Sequence, residues 1–463
     1  MRTEVLVIGA GVSGLAFTQA LRDDDVVLVE ASDDVGGYCR TVRHQGFVWD
    51  YSGHFFHFRH PELEAEMIRR IGPSRVRRVS RCSKVLYRGR LIDFPFQRNI
   101  DQLDHDDFVA CLNGLGSAGE GEPRDFKEVL HSRFGAGICE RFLVPYNEKV
   151  YATDLSRLDV EAMGRFFPQA ERFDILAGLG AASPPTYNST FLYPEGGAVE
   201  FVRALQQDIP PGRILLDEPV VEIDLRRHVA RTPRHTVHYD ALVSSVPLPS
   251  LLALTGLPHD PNLYTHNKVL VFNLGFDRKG PTDVHWIYVP DRDVSFYRVG
   301  FYDNIWGTDR MSLYVEIGCR ADEDLDEATV ARLRQRVLTD LMSIGIVDGH
   351  QLVASHHVAL DPAYVHVTRA STEDAAEQRA ALAARGVHAL GRYGTWTYCS
   401  LEDNIVEARR LANLFNRSSA PRLASPEPRA LQRRRFLGSV IPRGKPRLRG
   451  IAARLSTGHE VLG

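Results

Sequence analysis

A chain of 463 residues is longer than one hydrophobic core organises, which predicts two or three domains. With 44% hydrophobic and 25% charged residues and a net charge of -3, it carries no global signature of nucleic-acid or membrane binding. Its six cysteines (Cys39, Cys82, Cys111, Cys139, Cys319, Cys399) show no CxxC spacing, so neither a zinc site nor a disulfide framework is indicated. Reduced thiols and a cytoplasmic location are the expectation.

The chain opens on MRTEVLVIGAG, which enters a strand at once and leaves no room for a signal peptide. No apolar run is long enough to span a bilayer. Residues 3–60 read as strand, glycine turn, helix, strand and loop. Gly9, Gly11 and Gly14 stand in GxGxxG spacing between an apolar strand and a helix. Gly9 permits the turn, Gly11 lets a pyrophosphate approach, and Gly14 allows close helix–strand packing. The next strand, VVLVEA, ends in Glu30 at the distance expected for a ribose hydroxyl contact.

IDFPFQRNI (92–100) is unlike a central strand, because proline cannot donate to a sheet ladder. Two readings are open: a loop that packs two aromatic rings into the core, or a stacking platform for a base with an amide beside it. Residues 101–180 show helical apolar spacing, 212–247 strand alternation, and 266–320 a strand-rich pattern. Residues 323–346 look helical, GVHALGRYGTW reads as strand and turn, and SLEDNIVEARRLANLFN as an amphipathic helix. The expected fold is α/β: a Rossmann-like dinucleotide domain (1–100, 191–250, 366–416) with an inserted helical region (101–190) and a β-sheet substrate domain (251–365). A basic Pro- and Arg-rich tail, 417–463, is expected to be disordered.

The pair Gly36–Gly37, followed by Arg40 and Thr41, resembles the second fingerprint of FAD enzymes in the amine-oxidase-like superfamily. GRYGTW, with Gly391 and Arg392 ahead of a helix that carries Glu402, resembles its C-terminal half. FAD is therefore the expected cofactor. No Ser-His-Asp order, HExxH or P-loop is present, and a flavin can carry the chemistry without a protein nucleophile. His54, His57 and His60 lack an acidic partner pattern, so no metal is expected.

SGHFFHF, IDFPFQRNI, FLVPYNEKVYATD, YNSTFLYPEGG, SFYRVGF and GRYGTWTY appear in the order found in UDP-galactopyranose mutases and their protoporphyrinogen oxidase-like relatives. The resemblance covers roughly residues 1–415. It implies an enzyme in which reduced flavin N5 attacks a sugar's anomeric carbon and expels the nucleotide diphosphate. Phe96 would stack on the base and Gln97 would read its edge. Arg298 would clamp the diphosphate with Tyr288, Tyr364 and Tyr398, and Asn188 would meet the sugar or phosphate. His54 would lie against the flavin, and Arg392 near the isoalloxazine or a substrate phosphate. His54, Arg298 and Arg392 form the implied catalytic set. Implied partners are a nucleotide sugar and NAD(P)H or another reductant. Val144 stands where the eukaryotic-type mutases carry a further arginine, which removes about 1.5–3 kcal/mol of charge-assisted contact. DPAYVHV also lacks the proline usual after that tyrosine. The mutase reading is preferred; an FAD-dependent oxidase or desaturase acting on an amine, porphyrinogen or other small substrate is the alternative, and a non-catalytic FAD-binding protein is the third reading.

Overall fold

The computed structural model describes residues 1–22, 25–116, 119, 121–164, 172–179 and 188–418. The expected tail lies, beyond Ser418, outside these residues, as do 165–171 and 180–187 of the helical region.

The first strand, Arg2–Ile8, pairs in parallel with Val26–Val29 on one side and with Thr236–Ser244 on the other. Ile214–Leu215 extends the sheet beyond Val26–Val29, and Val387–Ala389 joins Thr236–Ser244 in parallel. An antiparallel pair, Glu222–Asp224 and Val229–Arg231, finishes one edge. Successive side chains of a strand point to opposite faces, and a parallel sheet is covered on both. Val5 and Val7 accordingly pack with Leu15, Phe201 and Ala408 from the helices Val12–Ala20, Val199–Gln206 and Leu401–Ser418. Leu6 and Ile8 pack with Leu248, Leu251 and Leu252 of the helix Leu248–Thr255 on the other face. Each fully buried leucine there contributes about 1.5–3 kcal/mol. Three distant stretches of chain thus build one Rossmann-like sheet.

A second seven-stranded sheet runs in the order Leu352–Leu360, Asn267–Phe276, Ser312–Arg320, Arg298–Phe301, Trp286–Tyr288, Ser83–Tyr87, Arg90–Asp93. The last two strands fall within residues 1–100, yet their hydrogen bonds go to Trp286–Tyr288. Sheet membership follows the pairing partner rather than chain position, so 83–93 belong with the second sheet. The helix Glu327–Ser343 covers one face, with Val337 and Leu341 against Leu270, Phe272 and Leu274.

The inserted region is helical: His105–Gly116, Phe126–Ile138 and Val144–Tyr151, the last two joined by a wider turn over Cys139–Leu143. The Asp125 side chain caps the second helix by accepting from the Glu128 N–H at 2.9 Å. Lys149 ties this layer to the second sheet, its Nζ donating to the Val289 and Asp291 carbonyls at 2.9 and 2.7 Å. No helix among the described residues is long and apolar enough to cross a membrane. None of the six cysteines forms a disulfide.

Candidate active site

A cavity of about 520 Å³ runs from the glycine turn after the first strand to the second sheet. Its outer half is a backbone cradle. Gly9 has φ +97°, and a Cβ there would fall 2.4 Å from Ser245 Oγ. A Cβ on Gly14 would fall 1.9 Å from the Gly9 carbonyl oxygen, so only glycine lets the helix approach its strand this closely. Gly11 forms an isolated bridge with Gly36, which brings the two glycine motifs together. Glu30 is 9% exposed; its carboxylate accepts from the Ala10 N–H at 2.7 Å and the Ser32 N–H at 3.0 Å. Both bonds hold it at the cavity wall, where its remaining lone pairs suit a ribose.

The C-terminal motif closes the cradle. Asn404 Oδ1 accepts from the Arg392 N–H at 2.8 Å and from Ser13 Oγ at 3.2 Å. Glu407 accepts from the Gly391 N–H at 2.9 Å. Glu402, 2% exposed, accepts from the Arg59 and His60 N–H groups at 2.8 and 2.9 Å, and so pins the histidine-rich loop to the closing helix.

At the inner end Arg298 meets Glu316, which is 0% exposed. Arg298 Nε and Nη2 donate to its two oxygens at 2.7 and 2.8 Å, and Ser52 Oγ donates to Oε1 at 2.5 Å. Burial opposes both charges, but their mutual attraction outweighs it: Glu316 is held below the usual carboxylate range and Arg298 well above its ordinary value. His54 lines the same wall; burial lowers its pKa to about 4, so the ring is neutral at physiological pH. Tyr364 and Tyr398 stand with ring centroids 6.0 Å apart and planes 17° apart. Burial raises both hydroxyls, Tyr398 to about 12, so both stay protonated donors. The Arg392 guanidinium lies 5.1 Å from the Tyr364 ring centroid and 4.7 Å from that of Tyr398. Its Nε and Nη2 are buried and find no acceptor among the described residues.

Of the residues singled out in the sequence, the cavity wall brings together Gly9, Gly11, Glu30, Gly36, Gly37, His54, Arg298, Tyr364, Arg392, Tyr398 and Glu402. Gly14 and Gly391 support it from behind. Arg40 turns to Asp33 and Asp34, and Thr41 donates to the buried Asp50 carboxylate at 2.5 Å. The base-platform reading of Phe96 and Gln97 is corrected: they are 0% and 2% exposed and absent from this wall. Phe96 stacks on Phe142 at 5.2 Å and meets Tyr87 edge-on at 5.8 Å, which leaves no face for a base and fits the core-loop reading. Val144 belongs to the same core. Tyr288 packs between Phe94 and Tyr146, and Asn188 lies half-buried in the turn before Thr190–Pro194; neither lines the cavity. Sequence reasoning missed Glu316, Ser52, Ser13 and Asn404. A glutamate inside the apolar run SLYVEIG was the available signal for the first. Among the described residues no group of three His, Cys, Asp or Glu side chains could hold a metal ion.

The donor set fits FAD. The glycine turn leaves backbone N–H groups open at a helix N-terminus for a diphosphate, Glu30 is poised for a ribose, and Arg392 offers two unused donors.

Comparison with known proteins agrees. The family model of flavin-containing amine oxidoreductases matches residues 12–413. Protoporphyrinogen oxidase 1 of Arabidopsis thaliana chloroplasts is 26% identical over 176 residues, 35% of this chain and 32% of that protein, so the match spans about a third of that relative's length. Among solved structures, reduced UDP-galactopyranose mutase superposes with a TM-score of 0.83 at 23% identity, covering 90% of this chain and 94% of the other. Cyclohexylamine oxidase from Brevibacterium oxydans IH-35A gives 0.63 at 15% identity, covering 90% and 99%. These two show a shared fold. The expected preference for a transferase over an oxidoreductase is overturned, because the family match and the protoporphyrinogen oxidase relative are both to oxidoreductases. The protein is FAD-dependent, and the chain belongs to the family of flavin-containing amine oxidoreductases.

Proposed function

We propose that the protein is an FAD-dependent oxidase or desaturase of a small substrate such as an amine or a porphyrinogen. Bound FAD supplies a two-electron acceptor, which the substrate reduces and dioxygen restores. The observation that carries the choice is the Arg298–Glu316 pair. The Nε–Nη2 edge of the guanidinium is occupied by a fully buried carboxylate, so it is not offered to a diphosphate.

The remaining inner wall suits a small, largely uncharged reacting centre. Neutral His54 places no positive charge beside it. Tyr364 and Tyr398 present hydroxyls that stay protonated and can orient a polar substituent. Phe55, stacked on Trp286 at 5.1 Å, adds an apolar face that excludes water. The cradle residues hold the cofactor: the turn at Gly9–Gly14 its diphosphate, Glu30 a ribose, and Arg392 a further acceptor beside the tyrosine pair.

The test is anaerobic mixing of the purified flavoprotein with a panel of primary and secondary amines and porphyrinogens. Bleaching of the oxidised-flavin absorbance by a panel member, followed by its recovery on admitting air, is the expected result. Bleaching by none of them, in a protein that dithionite reduces normally, overturns the proposal.

A further inference from the structure

The group formed by Arg392, Tyr364 and Tyr398 is assembled from two separate segments. Arg392 and Tyr398 stand in the turn after Val387–Ala389, whereas Tyr364 follows Leu352–Leu360. The turn is closed by the Thr395 N–H donating to the Gly391 carbonyl at 2.9 Å and the Thr397 N–H donating to the Arg392 carbonyl at 3.0 Å. Trp396 sits between these two donors at φ +53°. A left-handed residue that ends a helical turn is ordinarily glycine, because a Cβ is strained there. The backbone at 396 is suited to glycine, yet it carries an indole. Side chains held against backbone strain in this way cluster at functional sites.

The indole reaches toward the other segment. It is 3% exposed, meets the Tyr264 ring edge-on at 5.4 Å and meets the His266 ring edge-on at 6.1 Å. His266 Nε2 lies 2.9 Å from Asp361 Oδ1, and the His266 backbone forms an isolated antiparallel bridge with Val365. Asp361 and Val365 flank Tyr364. Asn267, the neighbour of His266, grips Tyr364 directly: its Oδ1 accepts from the Tyr364 N–H at 2.8 Å, and its own N–H donates to the Tyr364 carbonyl at 3.0 Å. Near Arg392 the Tyr393 hydroxyl makes another bridge between the segments, donating to the Ala363 carbonyl at 3.2 Å. Trp396 makes the bridge next to Tyr398.

We propose that Trp396 is a positioning residue: its indole, set against His266, fixes the distance between the segment that carries Tyr364 and the turn that carries Arg392 and Tyr398, and so holds the Arg392 guanidinium against the two rings. The inference rests on the assignment of Arg392 to the cofactor made above.

The test is a double-mutant cycle on the FAD dissociation constant of the full-length protein. Trp396→Gly relieves the backbone and removes the indole; it is expected to weaken FAD binding about tenfold, the worth of one charge-assisted contact. Arg392→Met is expected to weaken it by a similar factor. The double variant is expected to be no weaker than Arg392→Met, because both changes act through one contact. Trp396→Phe keeps a ring edge for His266 and is expected to stay within about threefold of wild type. His266→Leu removes the other side of the contact and leaves the turn intact. It is expected to give the same loss as Trp396→Gly, again absent in the Arg392→Met background, and it decides the matter if Trp396→Gly does not fold. Losses that add in the double variants overturn the proposal. So do Trp396→Gly and His266→Leu proteins that bind FAD as wild type does. An Arg392→Met protein with wild-type affinity removes Arg392 from the cofactor and overturns that assignment together with the proposal, a result distinct from additive losses, which overturn the positioning alone.

Discussion

Replacing Glu316 by glutamine separates the two things its carboxylate does: it stabilises the buried Arg298 and withholds that arginine from ligands. Removing one partner of a buried ion pair costs about 3–5 kcal/mol, since the other charge is left without compensation. Glutamine keeps the shape and one acceptor oxygen, so the low end, about 3 kcal/mol, is expected. The assay is guanidinium unfolding of the flavoprotein, read as a midpoint shift at constant slope. The pH dependence has a definite sign. Glu316 titrates below its ordinary value of 4.5, so its contribution is fully present above that value and is lost as pH falls through the depressed one. The gap between wild type and variant should close in the same window. The second readout is binding of inorganic pyrophosphate. A freed guanidinium fork adds a charge-assisted contact of about 1.5–3 kcal/mol, or roughly tenfold to a hundredfold in affinity. A variant within about 1 kcal/mol of wild type, or a wild type that already binds pyrophosphate as tightly as the variant, refutes the reasoning.

Gly14→Ala should purify without flavin, because its methyl group would fall 1.9 Å from the Gly9 carbonyl oxygen; flavin content per chain checks this. Asp50 is 0% exposed, and burial raises it from 3.8 to about 6 against the Thr41, Ala198 and Tyr193 hydrogen bonds. A raised carboxyl favours folding below the ordinary value and loses that advantage as pH rises through about 6. Asp50→Asn should therefore gain on wild type over that interval, by about 3 kcal/mol in all, measured by unfolding at pH 3 and pH 8. His54 should remain neutral down to about pH 4, visible as an imidazole resonance that does not titrate near 6.5. Wild-type stability should carry a matching loss as pH falls from 6.5 toward 4, absent in His54→Gln.

The parts of the molecule that were legible in the sequence are those where backbone geometry admits few residues. Gly9, Gly11 and Gly14 could be placed because a tight turn and a close helix leave no room for a side chain, and Glu30 because a strand of fixed length separates it from them. The alternation of Val5, Leu6, Val7 and Ile8 between two cores follows from strand periodicity once both faces are covered. What the sequence hid were partnerships between distant segments. Arg298 looked like a free cation because the residue that neutralises it lies 18 positions on, in the neighbouring strand of the sheet. Phe96 looked like a stacking platform because an aromatic ring beside proline and glutamine has the same local appearance whether Phe142 lies over it or a ligand does. Ser83–Tyr87 and Arg90–Asp93 looked like part of the first domain because their pairing partner arrives about 200 residues later.

Oxygen consumption by the purified flavoprotein, followed against loss of substrate, tests the central claim most directly. If the protein is an oxidase, one dioxygen should disappear for each two-electron oxidation of the amine or porphyrinogen that bleaches the flavin, with hydrogen peroxide formed in equal amount. A dithionite-reduced protein that interconverts the ring forms of a nucleotide sugar, and consumes no oxygen with any amine or porphyrinogen, would contradict it.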